Sequence, residues 1–485
     1  MLDYELWVDI PQFNSIYSFM KIESISFIEV GSPGAHIYSK FPIPRLGSIL
    51  LSTILKDKGY NVRIFIEDIA PPDWSFIENS DIVCISTITS TAIRAYEIAD
   101  RLRRSGITVI IGGAHPSFLP EESLLHADYV VRGEGDYTLL ELINYLKNSA
   151  PQIEFIQGVS YKDVSGKILH NPLRPLLSDL DSLPSPDFSL IHGWRPSNIY
   201  PISTSRGCPF NCKFCSVIQM FGRGYRFKSV GATLREIRHI SSVSKTTVFF
   251  VDDNFAANKQ RTKTILKGMI DDNIKLSWSA QVRVDVAKDA ELINLMADSG
   301  CSTLYIGFES VNPKTLELYN KKQDLNEMVD CIKAVKGHDI SIHGMFVLGA
   351  DTDDVETIKR TADFATRLKI DTIQFLVLTP FPGTPVFFEM MNSNRLLHTD
   401  WSKYDAHHVV LKPALMKPET LHLETLRAMK RFYSWKYILN HLIKFDFYYA
   451  LIGLYGKRAV KEALDGAKAY LESLEFAASQ PIQQL

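Results

Sequence analysis

The chain has 485 residues, 46% of them hydrophobic and 22% charged, with a formal net charge of −2. Those values fit an ordinary globular protein of two or three domains and supply no bulk charge for a nucleic-acid partner. They exclude a disordered tail protein and a basic polyelectrolyte binder. No basic start with an apolar run behind it marks a signal peptide, and no apolar run reaches the ~20 residues of a membrane span. A cytoplasmic location is the expectation. Six cysteines, three of them (Cys84, Cys301, Cys331) isolated in apolar segments, suit a reducing compartment and not a disulfide framework.

Residues 1–150 read as a Rossmann-like α/β domain. Strands are expected at 25–30, 61–66, 81–86, 108–111 and 129–131. Helices are expected at 46–58, 92–104 and 138–147, with Gly59 and Gly106 as stops. Strand–helix alternation with short loops predicts a parallel, doubly wound sheet. Three strand ends carry small residues: Ser86-Thr87-Ile88-Thr89, Gly112-Gly113 and Gly133-Glu134-Gly135. Such ends let a nucleotide-like group approach backbone N–H groups at helix starts.

Residues 151–198 are rich in Pro and Asp and read as a hairpin over 158–170 followed by a linker. From 199 the alternation resumes, with strands expected at 199–204, 247–251, 276–281, 303–307, 341–348 and 372–378. Six βα units within 199–390 predict a partial (β/α)6 barrel, since a closed eight-unit barrel needs about 250 residues. The region 391–485 is expected to be helical from 418 to about 474, broken at Gly453, Gly456 and Gly466. It carries two runs in which basic and aromatic residues interleave, 430–437 and 444–449. These read as helix packed on the barrel with snorkelling lysines, with peripheral membrane contact as the alternative.

The loop after the first barrel strand reads Ser205-Arg206-Gly207-Cys208-Pro209-Phe210-Asn211-Cys212-Lys213-Phe214-Cys215. Cys208, Cys212 and Cys215 have the spacing C-x3-C-x2-C. Three thiolates so spaced can hold three irons of a cubic cluster and leave the fourth open for a ligand. A zinc site would want a fourth Cys or a His, and none occurs in the twenty residues after Cys215.

This segment resembles the radical S-adenosylmethionine (SAM) superfamily, whose signature is C-x3-C-x-aromatic-C, with Phe214 in the aromatic slot. The resemblance implies a [4Fe–4S] cluster whose open iron chelates SAM, and one-electron cleavage of SAM to a 5′-deoxyadenosyl radical. It also points to SAM contacts at later strand ends. Val251-Asp252-Asp253 stands where many relatives carry Gly-Gly-Glu for the SAM amino group; a carboxylate still suits an ammonium, though a helix N-cap would use the same residue type. Gln281 and Arg283 end the third strand on one face, where Arg283 can take the SAM carboxylate or an internal acid. The segment Gly307-Phe308-Glu309-Ser310 is similar to one in the methylating and methylthiolating branches, and Glu309 is a candidate for the SAM ribose or amino group. The segments 345–349 and 378–385 are similar to ones that pack around adenine.

The glycine-bearing strand ends of the first domain, above all Val131-Arg132-Gly133-Glu134-Gly135-Asp136, resemble the cobalamin-binding domain that precedes many such barrels. Ser86, Thr89, Gly112, Gly113, Gly133, Glu134 and Gly135 are the corresponding candidates. The Asp-x-His-x-x-Gly motif that gives cobalt a histidine is absent; neither His36 nor His115 sits in one. The combined resemblance implies a cobalamin-dependent radical SAM enzyme, a C-methyltransferase acting on a small-molecule or lipid-like substrate and reduced by a flavodoxin or ferredoxin. Radical cyclisation, carbon–carbon coupling, a vestigial first domain and a non-enzymatic sensor are the alternatives.

Overall fold

The computed structural model describes residues 21–32 and 42–477. His36 lies outside them. The first sheet has the order β2-β1-β3-β4-β5-β6-β7. Its members are β1 (Ser24–Glu29), β2 (Asn61–Ile66), β3 (Ile82–Ser86), β4 (Thr108–Gly112), β5 (Tyr129–Val131), β6 (Val159–Lys162) and β7 (Ile168–His170). The first five run parallel. Their near-continuous apolar runs, such as Ile82-Val83-Cys84-Ile85, follow from burial on both faces. The helix Ala92–Arg104 buries Ala92, Ala95, Tyr96, Ala99 and Leu102, the stripe a 3.6-residue period predicts.

The hairpin expected between the domains is present, but it is not free-standing. β6 pairs antiparallel with β5, and β7 with β6. The first sheet therefore continues past residue 150 to His170, unlike the expected boundary. A three-residue β5 would otherwise leave an exposed edge, and the hairpin covers it.

The second sheet has the order β15-β14-β13-β12-β11-β8 and is parallel throughout, a partial barrel. Its strands are β8 (Tyr200–Ile202), β11 (Val248–Phe250), β12 (Trp278–Val282), β13 (Cys301–Glu309), β14 (Ser341–Leu348) and β15 (Thr372–Val377). All six fall where the sequence places them. A two-stranded ladder, β9 (Ser205–Arg206) with β10 (Arg226–Phe227), brackets the cysteine loop. The register of β13 against β14 shifts between Gly307 and Glu309, a bulge that leaves Glu309 at φ 62°.

The helix Pro418–Phe432 packs on β15 and on the helix Val355–Arg367. A short helix, Trp435–Ile443, and a long one, Phe447–Ala477, follow. The long helix runs unbroken through Gly453, Gly456 and Gly466, contrary to expectation. A Cβ at Gly453 would lie 2.8 Å from the Tyr437 ring, and one at Gly456 2.9 Å from the Tyr433 ring. Those glycines cost about 1 kcal/mol each in helix propensity but admit close packing of neighbouring aromatic rings. Among the described residues, no helix is long and apolar enough to cross a membrane.

Candidate active site

The cysteine loop is pinned at both ends. Gly207 has φ 87°, and a Cβ there would lie 2.4 Å from the Gly224 carbonyl oxygen, so no other residue fits. The Cys208 N–H donates to the Gly222 carbonyl at 3.3 Å. At the far end Phe214 meets Tyr319 edge-on at 4.9 Å, the Lys213 N–H donates to the Tyr319 carbonyl, and Asn320 Nδ2 donates to the Asn211 carbonyl at 3.1 Å. The three loop cysteines are partly exposed and unbridged, whereas Cys84, Cys301 and Cys331 are buried. Burial raises the Cys208 thiol and pushes Cys215 up to about 12. Among the described residues no three His, Cys, Asp or Glu side chains are grouped to hold a single metal ion. Thiolates on a cubane each bind a different iron and stand farther apart than the ligands of one ion. Three cysteines without a fourth partner therefore fit a cluster with one open corner.

The two aspartates after β11 part company. Asp252 is buried and fully occupied: it accepts from the Thr204 N–H at 3.1 Å, from Thr204 Oγ1 at 3.0 Å and from Ser205 Oγ. Asp253 lines a cavity beside the cysteine loop. It is open to the cavity yet walled by protein, and desolvation, then the neighbouring Asp252, raises its carboxyl to about 7. Arg283 lies just past β12, its guanidinium 3.8 Å over the ring of Phe210 in the cysteine loop. Gln281 is half-buried within β12, and its carbonyl accepts from the Phe255 N–H. Glu309 is buried and ion-paired with Lys321, Oε1 to Nζ 2.6 Å. Gly307 makes room for that pair, since a Cβ there would lie 2.7 Å from Glu309 Oε1. Lys321 was not singled out from the sequence; it follows its partner by 12 positions across a helix.

The cavity that holds Asp253 has a volume of about 530 Å³. It runs from the strand ends of the first sheet to the cysteine-loop side of the barrel. Ser86, Gly112, Gly113, Gly133, Glu134 and Gly135 all line it. Thr89 does not; it is buried in the turn Thr89–Thr91. The glycines differ in what they permit. Gly113, at φ 111°, would put a Cβ 2.3 Å from the Thr87 carbonyl oxygen, so its need is internal to the sheet. Gly133 has φ 73° with nothing within 4 Å of a built Cβ, leaving open space at a strand end. That cradle, open at its glycines and otherwise walled by apolar side chains such as Leu46, Leu50 and Leu139, fits a large corrinoid.

Glu134 also joins the first domain to the β9–β10 ladder. Its carboxylate accepts two hydrogen bonds from Arg226, at 2.7 and 2.9 Å, and one from the Leu177 N–H at 3.0 Å. Asp136 accepts two from Arg206, at 2.6 and 3.0 Å. The two arginines are the paired residues of β9 and β10. The acids of the Gly-Glu-Gly-Asp segment thus clamp the base of the cysteine loop to the first domain.

A second cavity, of about 580 Å³, shares the Ile88 wall with the first. Gln374 and Leu376 of β15 line one side, and residues of the helices Pro418–Phe432 and Phe447–Ala477 the other. Its polar corner holds His408, His422 and Tyr470. His408 Nδ1 lies 2.8 Å from Asp405 Oδ2, and Asp405, aided by that histidine, titrates at about 2 despite its burial. Burial lowers His422 to about 4, so it is neutral near pH 7. Nothing local in the sequence marks these residues; the fold brings them together.

Two family models match the chain: B12 binding domain over residues 36–143 and Radical SAM superfamily over 202–365. The chain is 33% identical over 390 residues to an uncharacterized methyltransferase of Pyrococcus horikoshii, covering 76% of this chain and 83% of that one. It is 30% identical over 406 residues to bacteriochlorophyllide d C-12(1)-methyltransferase of Chlorobaculum tepidum, covering 81% and 84%. It is 27% identical over 441 residues to the anaerobic magnesium-protoporphyrin IX monomethyl ester cyclase of Cereibacter sphaeroides, covering 84% and 70%. Its fold matches the cobalamin-dependent SAM radical enzyme OxsB, solved with aqua-cobalamin and SAM bound, at a TM-score of 0.68 and 16% identity, covering 94% and 80%. With both family models matched in tandem and relatives aligned over most of their length, the chain belongs to the radical SAM superfamily, in the branch that carries a B12-binding domain ahead of its barrel.

Proposed function

We propose that this protein methylates an unactivated carbon of a largely apolar small molecule. Membership of its family brings a [4Fe–4S] cluster, SAM and cobalamin as cofactors. The observation that carries the reading is the meeting of two cavities: one joins the glycine-lined strand ends to the cysteine-loop side of the barrel, and the other opens beside it across Ile88. When bound, the cofactors supply a carbon-centred radical and a transferable methyl group.

The chain positions them. Cys208, Cys212 and Cys215 hold the cluster, with Phe214 and Phe210 packing the loop. Asp253 faces the SAM ammonium, while Asp252 fixes the strand end behind it. Arg283 takes the SAM carboxylate, Gln281 lies beside it, and Glu309 offers the oxygen that Lys321 leaves free. Ser86, Gly112, Gly133 and Gly135 let the corrinoid approach backbone. The second cavity takes the substrate: its apolar helix walls exclude water, and neutral His422 with the His408–Asp405 pair orients a polar group. A small acidic flavodoxin or ferredoxin supplies electrons.

Anaerobic purification with iron and corrinoid counts, followed by SAM whose methyl carries deuterium, tests the reading. Label in the product supports methyl transfer. Substrate consumed to a ring-closed product without label favours the cyclase reading, which the Cereibacter sphaeroides relative keeps open.

A further inference from the structure

The short helix Trp435–Ile443 and the start of Phe447–Ala477 form a hairpin whose outer surface is left exposed among the described residues. Its inner side is tightly filled: Ile438 and Ala450 are buried, and Gly453 sits so close to Tyr437 and Ile438 that no Cβ fits. The outer side is apolar. Leu439, Ile443, Phe445, Phe447, Leu451 and Leu454 are all exposed, with Ile443 at 75% and Phe445 at 79%. Their spacing is helical on each arm, at 435, 439, 442 and 443 and again at 447, 451 and 454, so each arm presents one apolar stripe. Phe445 and Phe447 meet at the tip, ring centroids 6.4 Å apart. Single exposed apolar residues are ordinary, but a contiguous set of this kind marks a contact surface.

The charge beside it is one-sided. Residues 434–457 contain Lys436, Lys444 and Lys457 against Asp446, so 3 − 1 = +2, in a chain whose net charge is −2. Asp446 is bonded to His441 at 3.0 Å, and Lys457 lies 5.0 Å over the Trp435 ring. An apolar stripe with lysines at its margin is the pattern of a helix lying in a lipid–water interface, where the lysine stems snorkel to anionic headgroups. A second copy seated on the same stripe would bring like charges together.

We propose that this hairpin docks the protein on an anionic lipid bilayer. The location suits that role. Tyr437 Oη donates to the carbonyl of Asp371, just before β15. The hairpin therefore sits at the N-terminal ends of the barrel strands, while the cysteine loop lies beyond their C-terminal ends. Docking leaves the cofactor mouth and its electron donor unobstructed, and the surface is distinct from the proposed reaction site.

The test uses the full chain, purified anaerobically, with vesicles of phosphatidylglycerol and phosphatidylcholine compared with phosphatidylcholine alone. The protein should sediment with the anionic vesicles at least tenfold more tightly than with neutral ones, and less so at high salt. The double variant Ile443→Glu, Phe445→Glu should lose that binding by at least tenfold while keeping its iron content, since both side chains are already in solvent. A wild-type protein left in the supernatant, or a double variant that binds as the wild type does, overturns the proposal. So does a concentration-dependent dimer, dissolved by the same double variant, in a protein that ignores vesicles; the occupant would then be a second copy.

Discussion

Replacing Glu134 with Ala should loosen the base of the cysteine loop before it affects any cofactor. The Glu134 and Arg226 side chains are 6% and 11% exposed, so solvent screens their pair little. Removing one partner of a buried, hydrogen-bonded ion pair costs about 3–5 kcal/mol, most of it from the charge left behind. Arg226 would keep two acceptors, the carbonyls of Leu177 at 2.8 Å and Phe221 at 2.9 Å. The lower end, about 3 kcal/mol, is therefore expected, which is on the order of a 10²-fold rise in local opening. Glu134→Gln keeps one acceptor oxygen, enough for Arg226 Nη1 and the Leu177 N–H, but turns its amide NH2 toward Arg226 Nη2, so it should open the loop less than Glu134→Ala does but more than the wild type, by about 1–2 kcal/mol. Amide hydrogen exchange over residues 221–227 is the assay, since a multi-domain chain has no single unfolding free energy. Wild-type exchange in Glu134→Ala, together with lost corrinoid binding, would refute the clamp and return Glu134 to the corrinoid as a direct contact.

Changing Cys208, Cys212 or Cys215 to Ala should remove about four irons and abolish 5′-deoxyadenosine formation, while the same change at Cys84, Cys301 or Cys331 should leave the iron count intact. Asp253→Asn should weaken SAM binding by about 10-fold or more, the worth of a charge-assisted contact, with iron unchanged; Asp252→Asn should instead lower thermal stability, because it leaves one acceptor oxygen for the Thr204 N–H and the Thr204 and Ser205 hydroxyls and puts an NH2 donor in the other place. Gly133→Ala should fold, at about 1–2 kcal/mol for its left-handed backbone, and reduce corrinoid uptake, whereas Gly113→Ala should disrupt the end of β4 by collision with Thr87. His422 is buried neutral, so the unfolded chain binds the extra proton between its ordinary value of 6.5 and about 4. Local stability should fall as pH drops through that window, by up to about 1.4 kcal/mol per unit for this group, and hydrogen-exchange protection of the helix Pro418–Phe432 should depend less on pH in His422→Gln.

The barrel strands were legible because parallel strands buried on both faces read as apolar runs, and the candidate cysteine site could be proposed because Cys208, Cys212 and Cys215 fall within one loop. The glycines of the last helix misled, since what decides them is the fit of Tyr433 and Tyr437, which local sequence does not carry. Alternation separated Asp252 from Asp253 without saying which faces the cavity; that depends on Thr204 and Ser205 turning back toward β11. The acids of the Gly-Glu-Gly-Asp segment were visible as a motif, but the partner of Glu134 is 92 positions away. The hairpin's attachment to the first sheet was hidden for a related reason: an unprotected edge at β5 is a property of the assembled sheet.

The most direct test of the central claim needs no knowledge of the substrate. The anaerobically prepared protein, supplied with hydroxocobalamin during expression, is incubated with reductant and SAM carrying a deuterated methyl group, and the bound corrinoid is then examined by mass spectrometry. Both cavities serving one methyl-transfer centre predicts about one corrinoid per chain, bearing the deuterated methyl group. A protein that holds its iron and cleaves SAM but takes up no corrinoid, or takes it up without label, would contradict the account.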